Sequence, residues 1–338
     1  MGGYDWKENK LKLCTIGVLA AGALVLRKMR GASAYAARAS KYKDHSKTTV
    51  IITGGANGLG FKAAEQFACH KMRIILACRD KEAGELAADK LRQQIGNYNV
   101  FAMECDLSSF DSVRKFANDI KTHEPHVDVL VNNAAVLLPT EIKSVDGIEK
   151  QMAVNYFGHF LLTNLLLPKM VDPLGHARVV NVSSVQSNYG DIDFDDIRGE
   201  KLLGKQQAYF NSKLALNLFS IELARLGAAH GIHTYCVQPC LSQTDLARNV
   251  TLPLWEKFLY ALTARSEDMG SQAIIDAVLN EKLEKESGCY YTNCTRQPWP
   301  QNTLKHLKDT EKLWDISEEV TQIEDLEIGV DTNHVTSG

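Results

Sequence analysis

A β-branched run, Thr48–Thr53 (TTVIIT), stops at Gly54-Gly55-Ala56-Asn57-Gly58-Leu59-Gly60, and Phe61–His70 then carries helical apolar spacing. A strand that turns on glycines into a helix fits few architectures, because the helix must pack back on the strand it has just left. Backbone amides at the start of such a helix, reinforced by its dipole, attract phosphate, and glycines let a ligand approach the main chain. The stretch predicts a nucleotide-phosphate site.

The same alternation of strand and helix continues downstream. Arg73–Cys78 (RIILAC) reads as a second strand, followed at once by Arg79 and Asp80. This is where an acidic residue would hold a ribose hydroxyl and an arginine would accommodate a 2′-phosphate. Arg79 comes first after the strand, which favours NADP(H), while Asp80 reads as the cap of the next helix. Moving the strand end by one residue would exchange the two roles and admit NAD(H). Asn99–Glu104 is a third strand, with Asp106 placed either to face an adenine or to cap the helix from Ser109. Val127–Asn132 is a fourth, and Asn132-Asn133-Ala134-Ala135 lies at its carboxyl end, where open α/β sheets bind ligands. Helical spacing over 146–170 encloses Asn155, which on its own reads as a solvated or capping residue.

Ala177–Asn181 with Val182 forms a fifth strand ending at Ser183-Ser184, and His233–Val237 a sixth ending near Pro239, Cys240 and Thr244. Residues 185–205 read as a solvated polar insertion. The helix predicted over Gln206–His230 carries Tyr209 and Lys213, whose spacing places them on one face. An ammonium held near a phenol favours the phenolate, so the pair has the makings of an acid–base device. Cys289–Tyr291 reads as a last strand, Thr303–Trp314 as a last helix, and the chain from Ser317 as an acidic tail. Together these elements predict one Rossmann-type, doubly wound α/β domain over 47–316 with a mainly parallel sheet.

A net charge of −3 over 338 residues gives no basic field for nucleic acid. The 8 cysteines lack the paired spacing of a zinc site or a disulfide framework and read as reduced thiols, so no metal is expected. Leu13–Leu26 is an uncharged apolar run with lysines before it and Arg27, Lys28 and Arg30 after it. Shorter than the roughly 20 residues of a comfortable span, it reads as an uncleaved membrane anchor within 1–30, with a cleaved signal core as the alternative. Residues 31–46 would link anchor to domain. Leu252–Leu262, apolar and aromatic, reads equally as core or as the wall of a greasy pocket.

Thr-Gly-x-x-x-Gly-x-Gly at 53–60, Asn-Asn-Ala at 132–134, Asn155, Ser184, Tyr209 and Lys213, and Pro239 followed by Thr244 resemble in order the short-chain dehydrogenase/reductase family. Ala-Cys-Arg-Asp at 77–80 and the run Asn155–Thr163 are similar to its membrane-anchored, retinol-dehydrogenase-like branch. The resemblance implies Tyr209 as general acid/base, Lys213 as its pKa-lowering partner on the nicotinamide ribose, Ser184 on the substrate oxygen and Asn155 ordering a water towards Lys213. It further implies Gly54, Asn57, Gly58, Leu59 and Gly60 at the phosphates, Arg79 at the 2′-phosphate, Asp106 and Leu107 at the adenine, Asn133 and Ala134 at the ribose, and Pro239 and Thr244 at the carboxamide. The expected partners are a lipophilic small molecule and a membrane, with the domain on the cytosolic side of the endoplasmic reticulum or a lipid droplet; a homo-oligomer is compatible with the branch. A nucleotide sensor without turnover is the contrasting reading. Ala135 and Cys240 stand where the family has glycines.

Overall fold

The structure is a computed structural model that describes residues 44–138, 142–171, 176–201, 206–239 and 266–323. The apolar run at 13–26, Cys240, Thr244, Leu252–Leu262 and the chain after 323 lie outside the described residues.

Strand β1 (Thr49–Thr53) leads into helix α1 (Gly58–Cys69), β2 (Arg73–Cys78), α2 (Lys81–Ile95), β3 (Val100–Glu104) and α3 (Phe110–His123). Next comes β4 (Val129–Asn132), followed by a continuous helix α4 made of Lys150–Met152, a π-helical turn Ala153–Phe157 and Gly158–Met170. Then follow β5 (Ala177–Val182), α5 (Gln207–Gly227), β6 (Ile232–Gln238), α6 (Gln272–Leu279), β7 (Cys289–Thr292), β8 (Thr295–Gln297), α7 (Gln301–Lys305) and α8 (Thr310–Thr321). The eight strands among the described residues share one sheet in the order β3-β2-β1-β4-β5-β6-β7-β8. Pairing is parallel except for β7 with β8.

Every residue of β1 is buried. Val50 and Ile52 face one core with α1, α2 and α6, whereas Ile51 faces the other with α3, α4, α5 and α8. Two covered faces explain why the centre of the strand, Val50, Ile51 and Ile52, is continuously apolar instead of alternating. The chain leaves β1 towards β2 and β3, then returns to place β4 on the other side of β1. That reversal opens a crevice at the carboxyl ends of β1 and β4, which is where such sheets take ligands.

The C-terminal end departs from the sequence reading. α8 runs to Thr321, and Ser317, Val320 and Thr321 are buried, so no acidic tail starts at 317. The reason is packing: Trp314 stacks on Phe219 of α5 at 5.6 Å and meets Phe160 of α4 edge-on at 5.0 Å. The helix expected over 303–314 is two, α7 and α8, joined by a 3-10 turn Leu307–Asp309. Nor is the insertion after Ser184 simply solvated. Ile192 joins the core, and the Asp196 carboxylate accepts from Glu200 N at 2.7 Å and Lys201 N at 3.0 Å. Among the described residues, Cys78, Cys105, Cys236 and Cys289 are free thiols.

Candidate active site

The glycine turn closes the carboxyl end of β1. Gly54 and Gly58 have φ of 64° and 56°, in the left-handed region that a side chain penalises. Gly60 is needed for closeness: a Cβ there would stand 2.5 Å from Gly54 O and 2.6 Å from Asn133 Nδ2. Asn57, the exposed N-cap of α1, makes no side-chain cap hydrogen bond, and no acidic residue occupies the first turn. The helix therefore presents its opening amides beside a groove kept clear of side chains, a cradle that fits the phosphates of a dinucleotide. Leu59 is half-buried on the same turn.

Next to this cradle, β2 ends at Cys78, so Arg79 is indeed the first residue beyond it, and it is exposed. Asp80 caps α2, its Oδ1 accepting from Ala83 N at 3.0 Å. Asp106 neither caps α3 nor is wholly uncommitted. Ser109 is the cap, and Asp106 Oδ1 accepts from Ser108 N at 2.9 Å and Ser108 Oγ at 2.7 Å, closing a tight local turn. The Leu107 side chain is in the core, so its main chain is the part left to meet a ligand. Asn133 turns its side chain inward, Nδ2 donating to Thr53 O at 2.8 Å, which ties the loop after β4 to the start of the glycine turn. Ala134 N donates to Thr53 Oγ1 at 3.0 Å. Ala135 is not among the described non-glycine residues with positive φ, so the extra methyl is accommodated without backbone strain.

Across the crevice, α5 carries Tyr209 and Lys213. Tyr209 and Lys213 are 3% and 2% exposed, and the Lys213 Nζ stands 5.8 Å from the centre of the Tyr209 ring. Burial pushes the Tyr209 phenol up to about 12, opposed by a hydrogen bond with Ser184. Burial likewise pushes the Lys213 ammonium down to about 8. Burial and the Ser184 hydrogen bond are the causes that act on the phenol, and Lys213 Nζ donates to Val182 O at 2.8 Å.

Ser183 and Ser184 differ in their hydrogen bonding. Ser183 Oγ is buried and donates to Asn217 Oδ1 at 2.5 Å. Ser184 is half-buried, accepts from Gln186 N at 3.2 Å and reaches the Tyr209 hydroxyl.

Asn155 is also more committed than expected. Its Oδ1 accepts from Val136 N at 2.8 Å, and Nδ2 donates to Val136 O at 3.0 Å and Ser212 Oγ at 3.1 Å. The side chain clamps the loop after β4 to the turn of α5 between Tyr209 and Lys213. Pro239 is half-buried at the end of β6. Thr53, which sequence showed only as the first residue of the glycine motif, and His159, Ser212 and Asn217, which it did not single out, surround the site. Their signals, a threonine at a strand end and polar residues inside apolar helices, are those of ordinary core residues.

The short chain dehydrogenase family model matches residues 48–254. Human retinol dehydrogenase 12 is 39% identical over 277 residues, spanning 81% of this chain and 86% of that protein. Human retinol dehydrogenase 11 is 37% identical over 268 residues, spanning 79% and 84%. Among solved structures, an uncharacterised protein from Mycobacterium paratuberculosis aligns with a TM-score of 0.67 and 30% identity, covering 84% of this chain and 96% of that one. A 3-ketoacyl-(acyl-carrier-protein) reductase from Brucella melitensis, complexed with NADH, shares the fold at a TM-score of 0.58 and 20% identity, covering 72% and 96%. With this crevice, this sheet order and these relatives, the chain belongs to the short chain dehydrogenase family and is an oxidoreductase that uses a nicotinamide nucleotide.

Proposed function

We propose that the chain interconverts a lipophilic alcohol and its aldehyde or ketone with NADP(H), a retinoid-like substrate first, with Tyr209 as general acid and base. The observation that carries this reading is the convergence of Ser184, Tyr209 and Lys213 at the same carboxyl end of the sheet as the glycine cradle. The cofactor supplies or accepts the hydride when bound. A phenol held near 12 keeps its proton at neutral pH, which suits Tyr209 to give that proton to a carbonyl oxygen as the carbonyl is reduced. Ser184 Oγ offers a second hydrogen bond where negative charge develops, and the Lys213 cation beside the ring favours the phenolate left behind. In the reverse direction the same phenolate takes the alcohol proton.

Gly54, Asn57, Gly58, Leu59 and Gly60 would hold the phosphates, with Asn133, Ala134 and Pro239 along the nicotinamide side. Arg79, exposed beside an aspartate already used as a helix cap, supports a 2′-phosphate and hence NADP(H) over NAD(H). The retinol dehydrogenases among the relatives support the substrate class. The apolar run Leu13–Leu26 supports a membrane anchor on the endoplasmic reticulum, where such substrates partition.

Full-length protein in liposomes, given retinal, a steroid ketone and a long isoprenoid aldehyde with NADPH and NADH in parallel, tests the proposal. Turnover that Tyr209→Phe abolishes is the expected result. Cofactor binding without turnover on any substrate, or turnover indifferent to Tyr209, would overturn it.

A further inference from the structure

His159 is completely buried and takes no part in the chemistry above, yet it joins the three segments that frame the crevice. We propose that His159 is a positioning residue: it dictates where the Thr53 proton points, and so turns the Thr53 hydroxyl into a double acceptor that holds the main chain of Asn133 and Ala134 beside the cofactor. The proposal rests on the nucleotide reading of the site.

The polarity follows from which atoms can donate. His159 Nδ1 faces Asn155 O at 3.2 Å, and a carbonyl oxygen only accepts, so Nδ1 carries the proton. A ring buried next to the Lys213 ammonium stays neutral, its pKa pushed down to about 3 by burial first, so Nε2 is bare. Thr53 Oγ1 lies 2.9 Å from Nε2 and must donate to it. With its single proton spent there, Oγ1 has lone pairs left for Asn133 N at 2.9 Å and Ala134 N at 3.0 Å. Val131 O, at 3.3 Å, is the poorer competitor for that proton. The opposite tautomer would set the Nδ1 lone pair against a carbonyl and ask one hydroxyl oxygen to accept three protons with two lone pairs.

A chain of fixed direction therefore runs from the Asn133 and Ala134 amides through Thr53 and His159 to the carbonyl of Asn155. It connects the end of β1, the loop after β4 and the π-helical turn. Without the imidazole acceptor, Thr53 would turn its proton towards Val131 O, and its lone pairs would no longer be pinned towards both amides.

Three variants of the full-length protein test this: His159→Leu, His159→Gln and Thr53→Val, with NADPH and NADH binding followed by fluorescence titration and folding by circular dichroism. His159→Leu is expected to weaken cofactor binding by about tenfold, the scale of one buried hydrogen bond. His159→Gln, which returns an acceptor, should stay within about threefold of wild type, and adding His159→Leu to Thr53→Val should cost nothing further. Folded His159→Leu that binds cofactor like wild type, no rescue by glutamine, or additive losses in the double variant would overturn the proposal. Nitrogen-15 NMR of labelled histidines in the wild type gives a second reading that needs no disruptive substitution, with His159→Gln identifying the signal. The Nδ1–H tautomer, without titration between about pH 5 and 8, is expected; an Nε2–H ring or a titrating one would overturn it. A wild type that binds neither cofactor would instead defeat the nucleotide reading, and the tautomer measurement would still decide the proton's place.

Discussion

The Tyr156 hydroxyl donates to Ser317 Oγ at 2.7 Å in a buried contact that joins α4 to the last described helix. The direction is set by Ser317, whose own proton goes to Leu313 O at 2.6 Å. Tyr156→Phe should therefore cost about 1 kcal/mol, the typical net value of one hydrogen bond. Ending the chain before Ser317 should cost several times more, because it also removes buried Val320 and loosens Trp314 over Phe160 and Phe219. Urea denaturation of the two variants would measure the difference, and a truncated chain as stable as wild type would contradict the packing.

Ser183 and Ser184 are expected to fail differently when replaced by alanine. Ser184→Ala should lower kcat by roughly a hundredfold with little change in stability, as for the loss of one donor to a developing oxyanion. Ser183→Ala should act mainly on stability, since it leaves Asn217 Oδ1 without the hydroxyl that donates to it. Steady-state kinetics beside thermal denaturation separates the two.

Gly60→Ala sets two effects against each other. Alanine is the better helix former by about 1 kcal/mol. Against that, its Cβ would press on Gly54 O at 2.5 Å, and backbone cannot swing aside as a side-chain tip can. The clash should prevail. Cofactor affinity should fall by at least about tenfold, read by titration, and an unchanged affinity would show that the turn has more room than its geometry allows.

Lys213 gives a pH signature in the cofactor-free protein. The unfolded lysine keeps its proton to 10.5, while the buried one releases it near 8. Between those values the unfolded state binds more protons, so raising the pH favours the folded state, by up to about 3 kcal/mol in total. The gain is present above 10.5 and lost as the pH falls through about 8. Lys213→Met should abolish this increment along with activity, and the difference between the two proteins' stability–pH curves isolates it from every other group.

Sequence showed most of this fold because its strands are β-branched runs bounded by glycine and polar turns, and β2 was legible to the residue. Strand β8 was not, because Thr-Arg-Gln at a sheet edge is exposed and carries no apolar signal. In the site, Tyr209 and Lys213 drew notice because helical spacing places them on one face and because the glycine turn, Asn132-Asn133-Ala134, Asn155 and the two serines accompany them. The pairing of Ser183 with Asn217, separated by 34 positions, depends on how α5 lies against β5 and has no local trace. His159 was hidden by its surroundings, a single polar ring in a helix whose neighbours Phe160, Leu161 and Leu162 are all core.

The π-helical turn Ala153–Phe157 also sets the rotational phase of everything after it on α4. Each residue of a helix advances the azimuth by about 100°. Inserting one further residue after that turn would swing His159 away from Thr53, Phe160 away from Trp314 and Thr163 away from Asn132 Nδ2, which it now meets at 2.9 Å. Substitutions along this helix change one contact at a time, whereas a single-codon insertion after the π turn would misalign the core and the contacts to Thr53 and Asn132 together. The length of α4 is therefore under far tighter constraint than the identity of most residues in it.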